Sequence, residues 1–82
     1  MRPVAASAGL IKGLDGATYT PYKASVVRET QQKLEAKGLY KGPTDGILDS
    51  QTMHATANFQ KQNGMHQSGV PTPETREKLG IG

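Results

Sequence analysis

Apolar and small residues recur at helical spacing in three stretches of this chain. In "TPYKASVVRETQQKLEAKGLY", Val27, Thr30 and Leu34 fall on one side of a helix, with Tyr22 or Lys23 before them, and Gly38 stands where a glycine beyond the last turn would end it. The spacing predicts a helix over about 21–37, either with Thr20 as N-cap and Pro21 in the first turn or with Ser25 as a later cap. In "SQTMHATANFQKQN", Thr52, Ala55, Thr56 and Phe59 mark the inward side, Met53 covers an edge, and Asn63 or Gly64 ends the run. The third stretch, "PETREKLG", has Thr72 as N-cap, Pro73 and Glu74 in the first turn, Leu79 inward and Gly80 as the stop. Phe59, the sole phenylalanine, is the expected centre of the core. Residues 1–19, rich in Gly and Ala, hold no sustained period and read as an arm that is loosely ordered or packs late. The expectation is an all-α fold, a compact three-helix bundle with irregular loops over residues 20–82, preceded by that arm.

An internal echo strengthens the division. "GILDSQT" (Gly46 to Thr52) and "GVPTPET" (Gly69 to Thr75) share a frame of Gly, β-branched aliphatic, three variable residues, an acidic or amide residue, and Thr. In each, the Gly and aliphatic pair is expected to plug a loop into the core while Asp49 or Thr72 caps the helix that follows. Before the first frame, Gly42, Pro43, Asp45 and Gly46 are turn residues, and Asp45 can spend its oxygens on the loop's own backbone amides.

Composition limits what such a bundle can be. With 82 residues the chain buries a small fraction of its surface, and 34% apolar residues leave little material to spare. There is no cysteine, so packing must hold the fold without a disulfide or a thiolate metal site. The net charge of +3 suits weak attraction to polyanions as well as simple solubility. "MRPVAASAGLIKGLDG" has an apolar run broken by Ser7 and Gly9 and stopped by Lys12, so no secretory signal core is read there, and nothing in the chain reads as a membrane span. Action at the wall or in the periplasm would then need another export route, release by lysis, or membership of a larger product.

Catalytic chemistry finds no constellation. His54 and His66 lack a metal-ligand pattern and read as solvated; no serine sits in a nucleophile elbow; Asp49 and Glu74 have ordinary roles at helix starts. No catalytic residue, cofactor or metal is therefore assigned. Nucleic-acid binding is disfavoured because Lys23, Arg28, Lys33 and Lys37 scatter around the first helix while the second carries only Lys61. A more suggestive set is polar: Gln31 beside the inward row of the first helix, Gln60 after Phe59, and Tyr40 in the loop between. Amides so placed either close loop ends by bonding to backbone or face a shallow groove and bind sugar hydroxyls and peptide amides. Tyr40 either stacks on a sugar or roofs the core.

Taken together, Val26 to Leu79 resembles the peptidoglycan-binding-like domain found beside cell-wall hydrolases and phage lysins. Val27, Gln31 and Leu34 match its first run; Gly38, Tyr40, Gly42, Asp45, Gly46 and Thr52 match its loop; Ala55, Phe59, Gln60 and Gly64 match its second helix; Gly69, Val70, Pro73 and Thr75 match its final turn. Thr30 and Thr56 depart from the usual aliphatics, and each hydroxyl is expected to bond to a carbonyl one turn back. Asp49 replaces a loop glycine. The resemblance implies a non-catalytic module that anchors an associated enzyme or particle to peptidoglycan, through its glycan or its stem peptide. The ligand-binding residues expected on that reading are Tyr40, Asp45, Gln60, Gln31 and Asn63. The rival is a protein-interaction or structural module of a phage or secretion assembly, for which Leu10, Ile11 and Leu14 of the arm offer an apolar surface.

Overall fold

The computed structural model describes residues 10–81; the first nine residues of the arm lie outside them. Three helices follow a short hairpin: β1 (Ile11–Lys12), β2 (Thr18–Tyr19), α1 (Ala24–Ala36), α2 (Ser50–Gln62) and α3 (Pro73–Leu79). Both α2 and α3 start where their caps place them. Asp49 accepts the Thr52 amide at 2.9 Å, and the Thr72 hydroxyl accepts the Thr75 amide at 3.3 Å. All three helices finish in one manner, with the amide that follows a left-handed glycine (Gly38, Gly64 or Gly80) reaching five residues back: Leu39 to the Leu34 carbonyl, Met65 to Gln60, Ile81 to Arg76.

The start of α1 differs from expectation. Neither Thr20 nor Ser25 caps it: the helix begins at Ala24, after an extended Lys23 that makes no side-chain cap. The Lys23 carbonyl instead accepts both the Val26 and Val27 amides, at 3.0 and 3.1 Å, so backbone alone closes the first turn. Tyr22 and Lys23 accordingly precede the helix rather than extending its inward row.

Leu34, Tyr40, Ala55, Phe59, Leu79 and Ile81 form the apolar core, with Leu39 packed against it. Nearly as much of the interior is polar: Thr30, Gln31, Thr52, Thr56, Gln60, Ser68 and Thr75 are all buried. Thr30 and Thr56 each avoid an orphaned hydroxyl by bonding one turn back, Thr30 to the Val26 carbonyl and Thr56 to the Thr52 carbonyl, both at 2.8 Å. Polar burial without such partners would cost more than so small an apolar cluster returns.

Residues 10–19 are more ordered than composition suggested. The strands pair antiparallel, Ile11 with Tyr19 and Lys12 with Thr18, and the Gly13 amide bonds to the Ala17 carbonyl at 2.8 Å. The Leu14 amide then donates to the Ser68 carbonyl at 2.8 Å, docking the hairpin on the loop between α2 and α3.

Candidate binding surface and its two amide clamps

The echo in the sequence is an echo in three dimensions, and a buried glutamine organises each copy. From α1, Gln31 accepts the Gly46 amide on Oε1 at 2.9 Å, while its Nε2 donates to the Ile47 carbonyl at 3.0 Å, Thr52 Oγ1 at 2.9 Å and Asp45 Oδ1 at 3.2 Å. From α2, Gln60 accepts the Gly69 amide at 2.9 Å and donates to the Val70 carbonyl at 3.1 Å, Thr75 Oγ1 at 3.0 Å and Ser68 Oγ at 3.2 Å. The partners dictate which way each amide faces, since a glycine N–H requires an acceptor and a carbonyl requires a donor. Asp45 and Ser68 also match one another: Asp45 Oδ1 accepts the Ile47 amide at 3.0 Å, and Ser68 Oγ accepts the Val70 amide at 3.2 Å. Both frame glycines have φ of 79°, a left-handed conformation that disfavours any side chain.

The expected site residues therefore divide. Gln31 and Gln60 are fully buried and committed to the loops they hold. Tyr40 is buried as well; its hydroxyl donates to the Pro43 carbonyl at 2.6 Å and it roofs the core. Asp45 and Asn63 are exposed. One oxygen of Asp45 is engaged by Gln31 and Ile47, and the Asn63 amide nitrogen is spent on the Phe59 carbonyl at 2.8 Å. The structure joins Gln31, Tyr40 and Asp45 in one network around the first loop, whereas Gln60 belongs to the second. A signal for the clamps was present in the sequence: a repeated Gly-aliphatic frame, with a glutamine on the helix before each.

The aliphatic residues part company. Val70 is wholly buried, but Ile47 is 61% exposed, which corrects the expectation that both would plug the core. Leu48 beside it is half-buried.

His66 is solvent-exposed, as expected, and also meets Asp15 at 2.6 Å, so an ion pair or hydrogen bond links the hairpin to the α2–α3 loop. An ionised carboxylate can only accept, which places a proton on His66 Nε2. Tyr19 also donates to Asp15, at 2.6 Å, and the Ala17 amide does so at 3.0 Å. These bonds, Tyr19 first and His66 next, hold the Asp15 pKa down at about 2, and the same phenol–carboxylate bond raises that of Tyr19. A carboxylate depressed in the folded state contributes stability that is complete above its unfolded pKa, near 3.8, and fades as pH falls toward 2. Acidification across that window should therefore release the hairpin before the bundle unfolds. Amide exchange checks this: protection at Leu14 should fall while that at Leu34 persists. Simultaneous loss at both would refute it.

Asp49 also has a lowered pKa, first because the Thr52 amide bonds to it, consistent with capping. Among the described residues no group of three or more His, Asp or Glu side chains is arranged to hold a metal, and no helix is long and apolar enough to cross a membrane. The described surface also offers no enclosed cavity. The outer face of the first loop is open, with Lys41, Asp45 and Ile47 exposed.

Comparison with known proteins agrees with this architecture. The sequence profile of the family described as "Putative peptidoglycan binding domain" matches residues 23–79. A relative from Nostoc punctiforme, "Putative OxPP cycle protein OpcA", is 41% identical over 66 residues, covering 77% of this chain and 14% of that protein. The chain thus spans a small part of that relative's length. No solved structure matches.

Proposed function

Because the chain belongs to the peptidoglycan-binding domain family, as the match over residues 23–79 shows, we propose that it holds an associated enzyme or particle against the bacterial wall. The domain itself is a non-catalytic peptidoglycan-binding module. The single observation that carries the anchoring role is the clamp on the first loop: Gln31 spends a buried amide to fix Asp45 to Thr52, so the loop is held rigid while its outer face stays open. A preorganised loop loses little entropy on binding, which suits a shallow site with few contacts. On this reading Asp45 touches the ligand from the first loop, with Gln31 and Tyr40 supporting that contact from behind, while Gln60 holds the second loop and Asn63 lies at the other end of α2. Anchoring then works by raising local concentration rather than by tight binding.

Sedimentation with purified sacculi tests the reading. The protein should pellet with sacculi and stay soluble without them, with only mild weakening by salt given its net charge of +3. No sedimentation at any salt concentration would defeat it.

A second reading draws on the Nostoc relative, whose name refers to the OxPP cycle and not to the wall. On that reading the chain docks a protein. The exposed Leu10 and Leu14 of the hairpin fit such a use.

A further inference from the structure

We infer that the first loop recognises the stem peptide of the wall polymer, and that the hairpin on the second loop shows how. This rests on the wall-binding reading and refines its ligand. The two copies superpose in chemistry down to their neighbours. A Cβ built on Gly46 would lie 2.8 Å from the Ala24 carbonyl oxygen, and one on Gly69 would lie 3.0 Å from that of Met53. Ala24 and Met53 each stand seven residues before the clamping glutamine of their helix.

One component has no counterpart. On the second copy, the hairpin donates the Leu14 amide to the Ser68 carbonyl at 2.8 Å, and the Leu14 side chain lies against Gly69. On the first copy the equivalent carbonyl is that of Asp45, and among the described residues nothing donates to it. The nearest atoms to the Gly46 position all belong to Ala24, and Ile47 is left 61% exposed beside it. What the second loop takes from its own chain is one backbone N–H and one aliphatic side chain. The first loop presents the same acceptor and a bare apolar residue, so its matching occupant is a peptide that offers a backbone N–H and an aliphatic side chain.

The stem peptide has that chemistry, with backbone amides, alanine methyls and carboxylates. Exposed Lys41 lies in the loop, and exposed Lys23 directly precedes the Ala24 that touches Gly46, so the rim carries charge complementary to those carboxylates. Asp45 does not oppose this fully, since its Oδ1 is turned onto Gln31 and the Ile47 amide. The glycan strand fits less well. Stacking on sugar rings needs an open aromatic face, and of the four aromatic residues Tyr40 and Phe59 are buried while Tyr19 and Tyr22 are half-buried.

The test is an amide-shift titration with three probes: a synthetic stem tetrapeptide, a glycan oligosaccharide without stems, and an unrelated tetrapeptide of equal charge. Intact sacculi are sedimented in parallel. The stem tetrapeptide should shift residues 41–48, and Ile47→Asp, an exposed change that leaves the fold intact, should weaken it by about tenfold. No shift in that loop, an equal shift with the glycan, or unaltered binding by Ile47→Asp would overturn the inference. If sacculi still bind in those cases, the wall reading stands and only its ligand is wrong; if sacculi do not bind, both fall. Equal shifts with the unrelated peptide would make the loop a general peptide-docking surface and remove the wall ligand.

Discussion

Replacing Gln60 with leucine is expected to lower the unfolding free energy by about 3 kcal/mol, a large share of what a domain this small can hold. The substitution nearly preserves volume, so the loss is not one of packing. It strands the buried Gly69 N–H, which bonds to the Gln60 amide alone, and takes one bond each from the Val70 carbonyl and the Thr75 hydroxyl, which keep the Thr72 amide and the Thr72 hydroxyl as partners. An unsatisfied buried polar group costs on the order of 1–3 kcal/mol, and the extra apolar contact of leucine recovers part of the sum. Urea unfolding monitored by helical circular dichroism measures it, and a loss below about 1 kcal/mol would show that water or loop relaxation replaces the clamp. Gln60→Glu sharpens the result. It keeps an acceptor for Gly69 but, when ionised, directs negative charge at the Val70 carbonyl. Protonation restores a donor, so its folded-state pKa should rise. Its deficit should accordingly be greatest at neutral pH and shrink as pH falls toward the carboxylate range, a trend absent from Gln60→Leu.

Gly46→Ala is the second large effect, at about 2–4 kcal/mol, because conformational strain and a backbone collision act together. The residue has φ of 79°, and the new Cβ would meet the Ala24 carbonyl oxygen at 2.8 Å. That oxygen lies on the first turn of α1 and has no flexible side chain to yield. Moving the loop aside would lengthen the Gly46 amide bond to Gln31, now 2.9 Å. Gly38→Ala separates the two contributions: its φ is 76°, but nothing lies within 4 Å of the new methyl. Its cost should stay near the ordinary left-handed penalty of about 1 kcal/mol. Equal midpoint shifts for the two variants would mean that the Ala24 contact is irrelevant.

These expectations centre on features only half visible in the amino-acid order. The helix starts at Ser50 and Pro73, their caps and the glycine stops are local events, decided within a turn or two by residue type, and they are where the pattern placed them. The start of α1 escaped because Lys23 closes the turn through its carbonyl, which any residue can do. The hairpin escaped because two-residue strands are too short to show alternation, and what docks them, the contacts of Leu14 with Ser68 and Asp15 with His66, spans more than fifty residues. The roles of Gln31 and Gln60 were open because a glutamine near a core bonds equally well to a loop behind it or to a ligand before it. Only geometry distinguishes these, and it commits both amides inward. The repeated frame implies equal burial for Ile47 and Val70, yet only Val70 is enclosed, because sequence equivalence does not fix what packs over each loop.

The polar half of the interior has a thermal consequence. Exposing apolar surface raises the heat capacity on unfolding, while exposing polar surface lowers it. With Gln31, Gln60, Ser68 and four threonines leaving the interior alongside so few large aliphatics, the two contributions offset one another more than in an ordinary domain. The stability of this chain is therefore expected to vary gently with temperature, with a broad maximum and little loss in the cold, when a purely apolar core would be weakening.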